Sequence, residues 1–333
     1  MRLIHKYIFF ILLLPLLIAG CELAPPEPVS VPVLDAGIYV TSSIPGALIS
    51  IDGISQMKYT PDTVFTTSGT HVISITKEGY QTTAINITAI SDSVINVNAD
   101  LVVAIPKIVL LEDFANVSCV PCVASNLIIK SLKTYTYDET KLVVLKFPTN
   151  FPSPNDPFYL AAQVYCNARI TYYNVLFAPT TILDGILKPV SSDSIKVKAA
   201  IEQRLAEIPK FQVSVTDTIT GGNINYKVRV ECLDTNGIST ANLALRFVVM
   251  EEEIIFSTPP GSNGETHFYD VVRTMLPDQN GITISTGGIT PGYSQEFNLS
   301  TPINSIWQIE KIRGVAFVQN RFTREVYQAA IAH

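Results

Sequence analysis

The segment Lys107–Cys122 reads KIVLLEDFANVSCVPC, an apolar run followed by a short turn and a Cys-x-x-Cys pair, Cys119 and Cys122. If a helix begins at Cys119, its free amides and dipole favour a thiolate there. Cys122 then sits one turn on, within reach to resolve a mixed disulfide. The expected thiol pKa of reduced Cys119 is below the ordinary value of about 8.5. The same spacing also serves zinc, which needs two further ligands nearby. Apart from Cys21, the remaining cysteines are Cys166 and Cys232, and no histidine lies between His71 and His267. No metal and no cofactor is therefore expected. A plainer alternative stays open, in which the pair forms a stable structural disulfide. Cys166 and Cys232 either bridge or are separately buried as small apolar side chains.

Elements able to hold such a pair surround it. Lys107–Phe114 reads as a strand, Cys119–Tyr135 as a helix with Val123, Leu127, Ile128 and Leu132 near helical spacing, and Lys141–Phe147 as a second buried strand. A proline-rich loop leads to an expected helix at Phe158–Tyr173. A strand opening at Ala178-Pro179-Thr180 comes next, and then an amphipathic helix, Ser191–Ile208, capped by Ser191 or Ser192. From Phe211 the pattern changes to short apolar runs between Gly, Asn and Pro turns: Phe211–Val215, Ile224–Leu233, Leu243–Met250, Gly281–Ser285, Tyr293–Leu299 and Gly314–Gln319. This spacing predicts an antiparallel β-sandwich. His267 stands alone in an expected loop there.

The N-terminus points to export. Arg2 and Lys6 precede an unbroken apolar run, Tyr7–Ile18, too short to span a bilayer as a helix but suited to a signal-peptide core. It ends in Ile18-Ala19-Gly20-Cys21, which resembles the bacterial lipoprotein signal. That resemblance implies lipid on Cys21, membrane attachment without a spanning helix, and, with Glu22 rather than aspartate following, the outer membrane. An ordinary secretory signal with an incidental cysteine is the alternative. Residues 21–36 hold four prolines between Glu22 and Ala36 and read as an extended tether.

The formal net charge is −6, and removing Arg2 and Lys6 with residues 1–20 makes the mature chain more acidic still. With no long basic run, nucleic acid is not an expected partner. An apolar content of 47% is ample for packed cores.

Residues 37–104 read as a small all-β module, with runs Ile38–Thr41, Leu48–Ile51, His71–Thr76 and Val94–Val103 and turns at Pro45-Gly46, Asp52-Gly53, Ser68-Gly69 and Glu78-Gly79. SSIPGALISIDG, the following Thr60-Pro61 and SGTHVISITKEGYQ resemble the PEGA domain, although the glutamate of that name is absent. The resemblance implies a spacer or binding platform without catalytic residues, and His71 is expected to be structural.

Residues 105–210 look like the thioredoxin fold, in the order strand, Cys-x-x-Cys, helix, strand, helix, Ala178-Pro179-Thr180. The resemblance implies a cis bond before Pro179, with Ala178–Pro179 facing the thiols across a solvent-open notch. It implies Cys119 as the attacking thiolate, Cys122 as the resolving thiol and Asp113 as the buried proton relay, followed by an aromatic, Phe114. Lys146 is a weaker candidate for tuning Asp113. Ser118 stands where active members carry tryptophan, and Val120 replaces the usual glycine. The stretch from Phe147 to Pro179 exceeds a minimal thioredoxin.

The ending GVAFVQNRFTREVYQAA, preceded by HFYDVVRTMLP, is similar to the twenty-eight-kilodalton outer membrane protein family, which joins a thioredoxin-like domain to a C-terminal β-rich one. The expected fold class is thus multidomain α+β. It comprises a PEGA-like module (37–104), a thioredoxin-like α/β domain (105–210) and a C-terminal antiparallel β-sandwich (211–333). The expected function is disulfide exchange with exported protein thiols or disulfides. A non-catalytic lipoprotein gripping a cell-envelope component is the alternative.

Overall fold

The computed structural model describes residues 34–284 and 288–332. The expected signal, Cys21 and most of the tether lie outside the described residues. The chain divides after Val103 into two units, each treated by itself.

In the first unit, β-branched alternation produces seven strands: β1 (Ala36–Ser42), β2 (Leu48–Ile51), β3 (Ile54–Tyr59), β4 (Asp62–Thr66), β5 (Gly69–Thr76), β6 (Thr83–Ala89) and β7 (Val94–Ala99). They form two sheets, ordered β4-β1-β7 and β3-β2-β5-β6. β1 pairs antiparallel with β4 and parallel with β7. Inward residues such as Ile38, Val40, Ile49, Ile73 and Ile75 form the core. Asp52 and Gly53 both have positive φ, at 48° and 81°, the backbone required by the tight turn joining β2 to β3. His71, on β5, bonds Asp52 through Nδ1 at 2.6 Å and the Thr67 carbonyl through Nε2 at 2.9 Å, a structural placement.

The second unit begins with β8 (Val109–Ala115), α1 (Val120–Tyr135), β9 (Leu142–Pro148), α2 (Pro157–Ala161), α3 (Gln163–Tyr173), β10 (Thr180–Leu183) and α4 (Ser194–Leu205). It continues with β11 (Phe211–Thr220), β12 (Asn223–Cys232), β13 (Leu243–Ile255), β14 (His267–Leu276), β15 (Ile282–Thr283), β16 (Ser294–Pro302), β17 (Ile312–Asn320) and β18 (Val326–Ile331). Eight strands share one sheet, in the order β10-β8-β9-β14-β13-β17-β18 with β15 also on β13. β11, β12 and β16 form a second sheet.

This sheet overturns the expected fold class. The unit is mostly β, with four α-helices among the described residues, and it shows no separate thioredoxin-like α/β domain at 105–210 beside a β-sandwich at 211–333. β9 is buried at all seven positions, as a strand covered on both faces is. It pairs in parallel with β8 on one side and with β14 on the other, where Lys146 meets Val271. One core accordingly mixes Leu110, Phe114 and Phe147 with Met250, Val315 and Phe317. A second, between the two sheets, joins Phe211, Tyr226 and Val228 to Phe247, Val249 and Ala316.

Three local expectations are also corrected. The helix expected at Phe158–Tyr173 is two pieces, α2 and α3, interrupted at Ala162, whose ψ of 26° leaves the helical range. The cap of α4 is Asp193, whose carboxylate accepts from the Ile195 and Lys196 amides, rather than Ser191 or Ser192. His267 opens a strand rather than lying in a loop. Cys166 and Cys232 are free and buried.

Candidate functional site

Cys119 caps α1, with extended backbone (φ −88°, ψ 102°), and Pro121 stands in the first turn, where its missing N–H is no loss. Cys119 and Cys122 are joined by a disulfide, with 5.3 Å between their α-carbons. The Cys122 amide donates to the Cys119 carbonyl at 3.2 Å, and the Cys119 amide donates to the Asn116 carbonyl at 3.0 Å.

The turn ahead of the pair is clamped by backbone contacts from two sides. The Val117 amide donates to Asp156, which also caps α2 through the Phe158 and Tyr159 amides. The Val117 carbonyl accepts from the Asn263 amide at 3.1 Å. Asn116 completes the clamp by donating to the Thr149 and Ser153 carbonyls and accepting from the Ser118 amide.

Beneath α1, alternation along β8 sends Val109, Leu111, Asp113 and Ala115 to one face. Ala115 packs against the pair together with Ala178, while Val109 and Leu111 meet Ile129 and Leu132 of α1. Asp113 lies between these contacts, fully buried. Its Oδ1 accepts from the Thr181 hydroxyl at 3.0 Å, and its Oδ2 lies 3.4 Å from Lys146 Nζ. Burial raises the carboxyl pKa above the ordinary value, with Lys146 and Thr181 acting against this and Glu265 adding to it. Oδ2 makes no hydrogen bond, and neither does the buried hydroxyl of Ser125 on the inner face of α1.

The Ala178–Pro179 peptide is cis, and Ala178 touches the pair. The structure therefore gathers Cys119, Cys122 and Ala178–Pro179, and places Asp113 next to Ala115 on the same face of β8. The expected solvent-open notch is different. Cys119 is 2% exposed and Cys122 0%. The adjoining groove, about 470 Å³, is lined by Pro121, Phe177, Pro179, Thr181, Lys188 and Val190. Phe177 of that lining is exposed, as are its chain neighbour Leu176 and Val120, next to Pro121.

Asn116, Asn126, Asp156, Gly261, Asn263 and Glu265 were not singled out from sequence. Asp156-Pro157 carried a signal, an N-cap aspartate before a first-turn proline. Among the described residues, no cluster of His, Cys, Asp and Glu could hold a metal ion.

The PEGA domain family matches residues 36–104, in keeping with the two-sheet first unit. No curated protein matches the chain. HBP35 of Porphyromonas gingivalis is similar in structure, at 16% identity and TM-score 0.57, covering 68% of this chain and 74% of that one. A domain of the outer membrane lipoprotein Omp28 from Porphyromonas gingivalis matches at 16% identity and TM-score 0.27, covering 38% of this chain and 88% of its own. A protein from Agrobacterium tumefaciens matches at 14% identity and TM-score 0.45, covering 67% and 92%. The likeness to HBP35 is one of fold.

Proposed function

We propose that this chain is a lipid-anchored protein of the cell envelope, held in the outer membrane through Cys21, that exchanges disulfides with exported proteins through Cys119 and Cys122. The observation that carries the reading is the bonded pair on the first turn of α1, packed against the Ala178–Pro179 peptide. A bridge over a sequence separation of three restricts the unfolded chain little, so its worth as a staple is small. Its position at a helix start favours a thiolate on reduction.

The exchange balances as follows. A client thiolate attacks Cys119 Sγ, the bond to Cys122 breaks, and Cys122 Sγ leaves with the electron pair and takes up a proton. A second client thiolate attacks the sulfur bound to Cys119, closing a client disulfide and releasing Cys119 as a thiolate. The client loses two electrons, and the pair gains two electrons and one proton, carried by Cys122, with Cys119 left as the thiolate. Asp113, on the α1 side of β8, is the proposed proton partner of Cys122, and Lys146 tunes it. Because both cysteines are buried, attack requires local opening on the groove side, between Pro121 and Pro179.

The Met1–Cys21 sequence supports export, and no helix among the described residues is long and apolar enough to cross a membrane. The wider reading as a member of the twenty-eight-kilodalton outer membrane protein family rests on the C-terminal sequence. The burial of both sulfurs favours a second reading, a non-catalytic lipoprotein that binds a cell-envelope component. Equilibration of the pair against a dithiothreitol or glutathione buffer separates the two. A potential above about −300 mV supports exchange, and one below it marks a structural bridge.

A further inference from the structure

We propose that Glu265 is a positioning residue for the Cys119–Cys122 chemistry: by holding Asn126 between itself and Lys146, it governs how firmly Asp113 keeps its proton. This rests on the exchange reading above and adds to it a group from the far half of the fold.

The geometry is a linear chain of polar contacts. Glu265 lies in residues 256–266, the connection between β13 and β14, whose ends are tied by the Phe256 amide donating to the Thr266 carbonyl at 2.9 Å. Both Glu265 carboxylate oxygens accept from Asn126 Nδ2, at 2.8 and 2.9 Å. Asn263 Nδ2 donates to the same carboxylate at 2.6 Å. On its other side, Asn126 Oδ1 accepts from Lys146 Nζ, and that ammonium lies 3.4 Å from Asp113 Oδ2.

The orientation of the Asn126 amide is forced. An ionised carboxylate only accepts and an ammonium only donates, so the NH₂ group must face Glu265 and the oxygen must face Lys146. The amide thus joins a negative group to a positive one and holds Lys146 at the edge of Asp113. Without an acceptor at 265, nothing on that side fixes the amide, and Lys146 is free to swing away from Asp113.

The charged groups that bear on Asp113 come from separate elements. Lys146 is on β9 and Glu265 on the β13–β14 loop, while Thr181 on β10 contributes an uncharged hydroxyl. α1 presents Ser125 and Asn126, both uncharged. Asp270 on β14 is ion-paired with Lys133 of α1 and feels Lys146 more weakly. Glu265 opposes ionisation of Asp113. That direct effect is smaller than the effect of Lys146, so removing the anchor, which releases Lys146 from the edge of Asp113, raises the Asp113 midpoint.

The test uses the full mature chain, with Glu265→Ala to remove the hold on Asn126 and Glu265→Gln to keep an acceptor there without the charge. Asp113 is followed by carbon NMR of labelled aspartate in the oxidised protein, and the rate of reduction by dithiothreitol is measured across the same pH range. The expected result is an Asp113 midpoint at higher pH in Glu265→Ala and not above the wild-type value in Glu265→Gln, with the pH–rate profile moving in the same sense. An Asp113 midpoint unchanged or lowered in Glu265→Ala overturns the proposal. If the midpoint rises while the wild-type pair transfers no disulfide to a client, Glu265 keeps this role and the exchange reading is what fails.

Discussion

Gly261 lies so close to Val117 that a β-carbon on it would stand 2.3 Å from the Val117 carbonyl oxygen and 2.5 Å from the carbonyl carbon. The turn leading into Cys119 and the β13–β14 loop therefore touch backbone to backbone, a contact that only glycine permits. Gly261→Ala is expected to force that contact apart, a strain of about 1–3 kcal/mol. The measurement is the urea midpoint of the oxidised chain, together with the rate at which the pair reacts with dithiothreitol. A loss of stability with faster reduction is expected. An unchanged midpoint would show that the loop yields without strain.

Arg169 and Glu112 form a buried pair, 1% and 0% exposed, with Nη2 at 2.5 and 2.7 Å from the two carboxylate oxygens and Nε at 2.8 Å. Tyr173 donates to the same carboxylate, and Gln319 of β17 accepts from Arg169. Arg169→Met leaves a buried carboxylate without its counter-charge, and the expected loss is about 3–5 kcal/mol. Chemical denaturation should show it, with Glu112→Leu/Arg169→Met recovering much of the stability. A double variant no better than the single one would contradict this account.

In the first unit, the hydrogen bond to Asp52 raises the His71 pKa above 6.5, and the same bond lowers that of Asp52 below 3.8. The sign follows for each partner. His71 contributes stability that is full below pH 6.5 and lost as pH rises through its raised folded value. Asp52 contributes stability that is present above pH 3.8 and lost as pH falls through its lowered value. Stability from this pair is therefore expected to peak between these limits. Proton NMR titration of the His71 ring, with amide exchange of β5 followed over the same range, checks it. His71→Asn should flatten the alkaline limb.

The staple reading of the thiols has its own number. Closing so short a loop is worth about 2 kcal/mol by the chain-entropy relation. Cys119→Ser/Cys122→Ser should therefore lower the denaturation free energy by about that amount and leave the fold intact. A collapse of the second unit in this variant would instead identify the disulfide as part of its architecture.

The chemistry was readable where it was encoded locally. The run Lys107–Phe114, the pair, and the apolar spacing of Val123, Leu127, Ile128 and Leu132 are all short-range patterns; the strand forms at Val109–Ala115 and the helix at Val120–Tyr135, although that helix buries Cys122, Ser125, Ile129 and Leu132 and leaves Leu127 exposed. The peptide before Pro179 is cis and Asp113 is buried, as expected, but the thioredoxin-like domain on which those expectations rested is not what the chain forms. What could not be read was pairing across a long separation. Nothing in the sequence around Lys146 says that its strand will lie beside Val271, because side-chain alternation marks a buried strand without naming its neighbour. Glu265 and Gly261 were overlooked for the same reason. Each is ordinary in its own loop and gains its meaning only when β14 carries that loop against the turn at Val117.

The parallel seam between β9 and β14 also bears on any attempt to divide the molecule. A fragment stopped near Lys210 would leave β9 with a raw hydrogen-bonding border and Phe147 and Leu110 stripped of Met250 and Phe317, conditions that invite aggregation. The complementary fragment would expose β14 in the same way. Studies of the thiols in isolation should therefore keep Ala104 through the C-terminal strand as one indivisible piece.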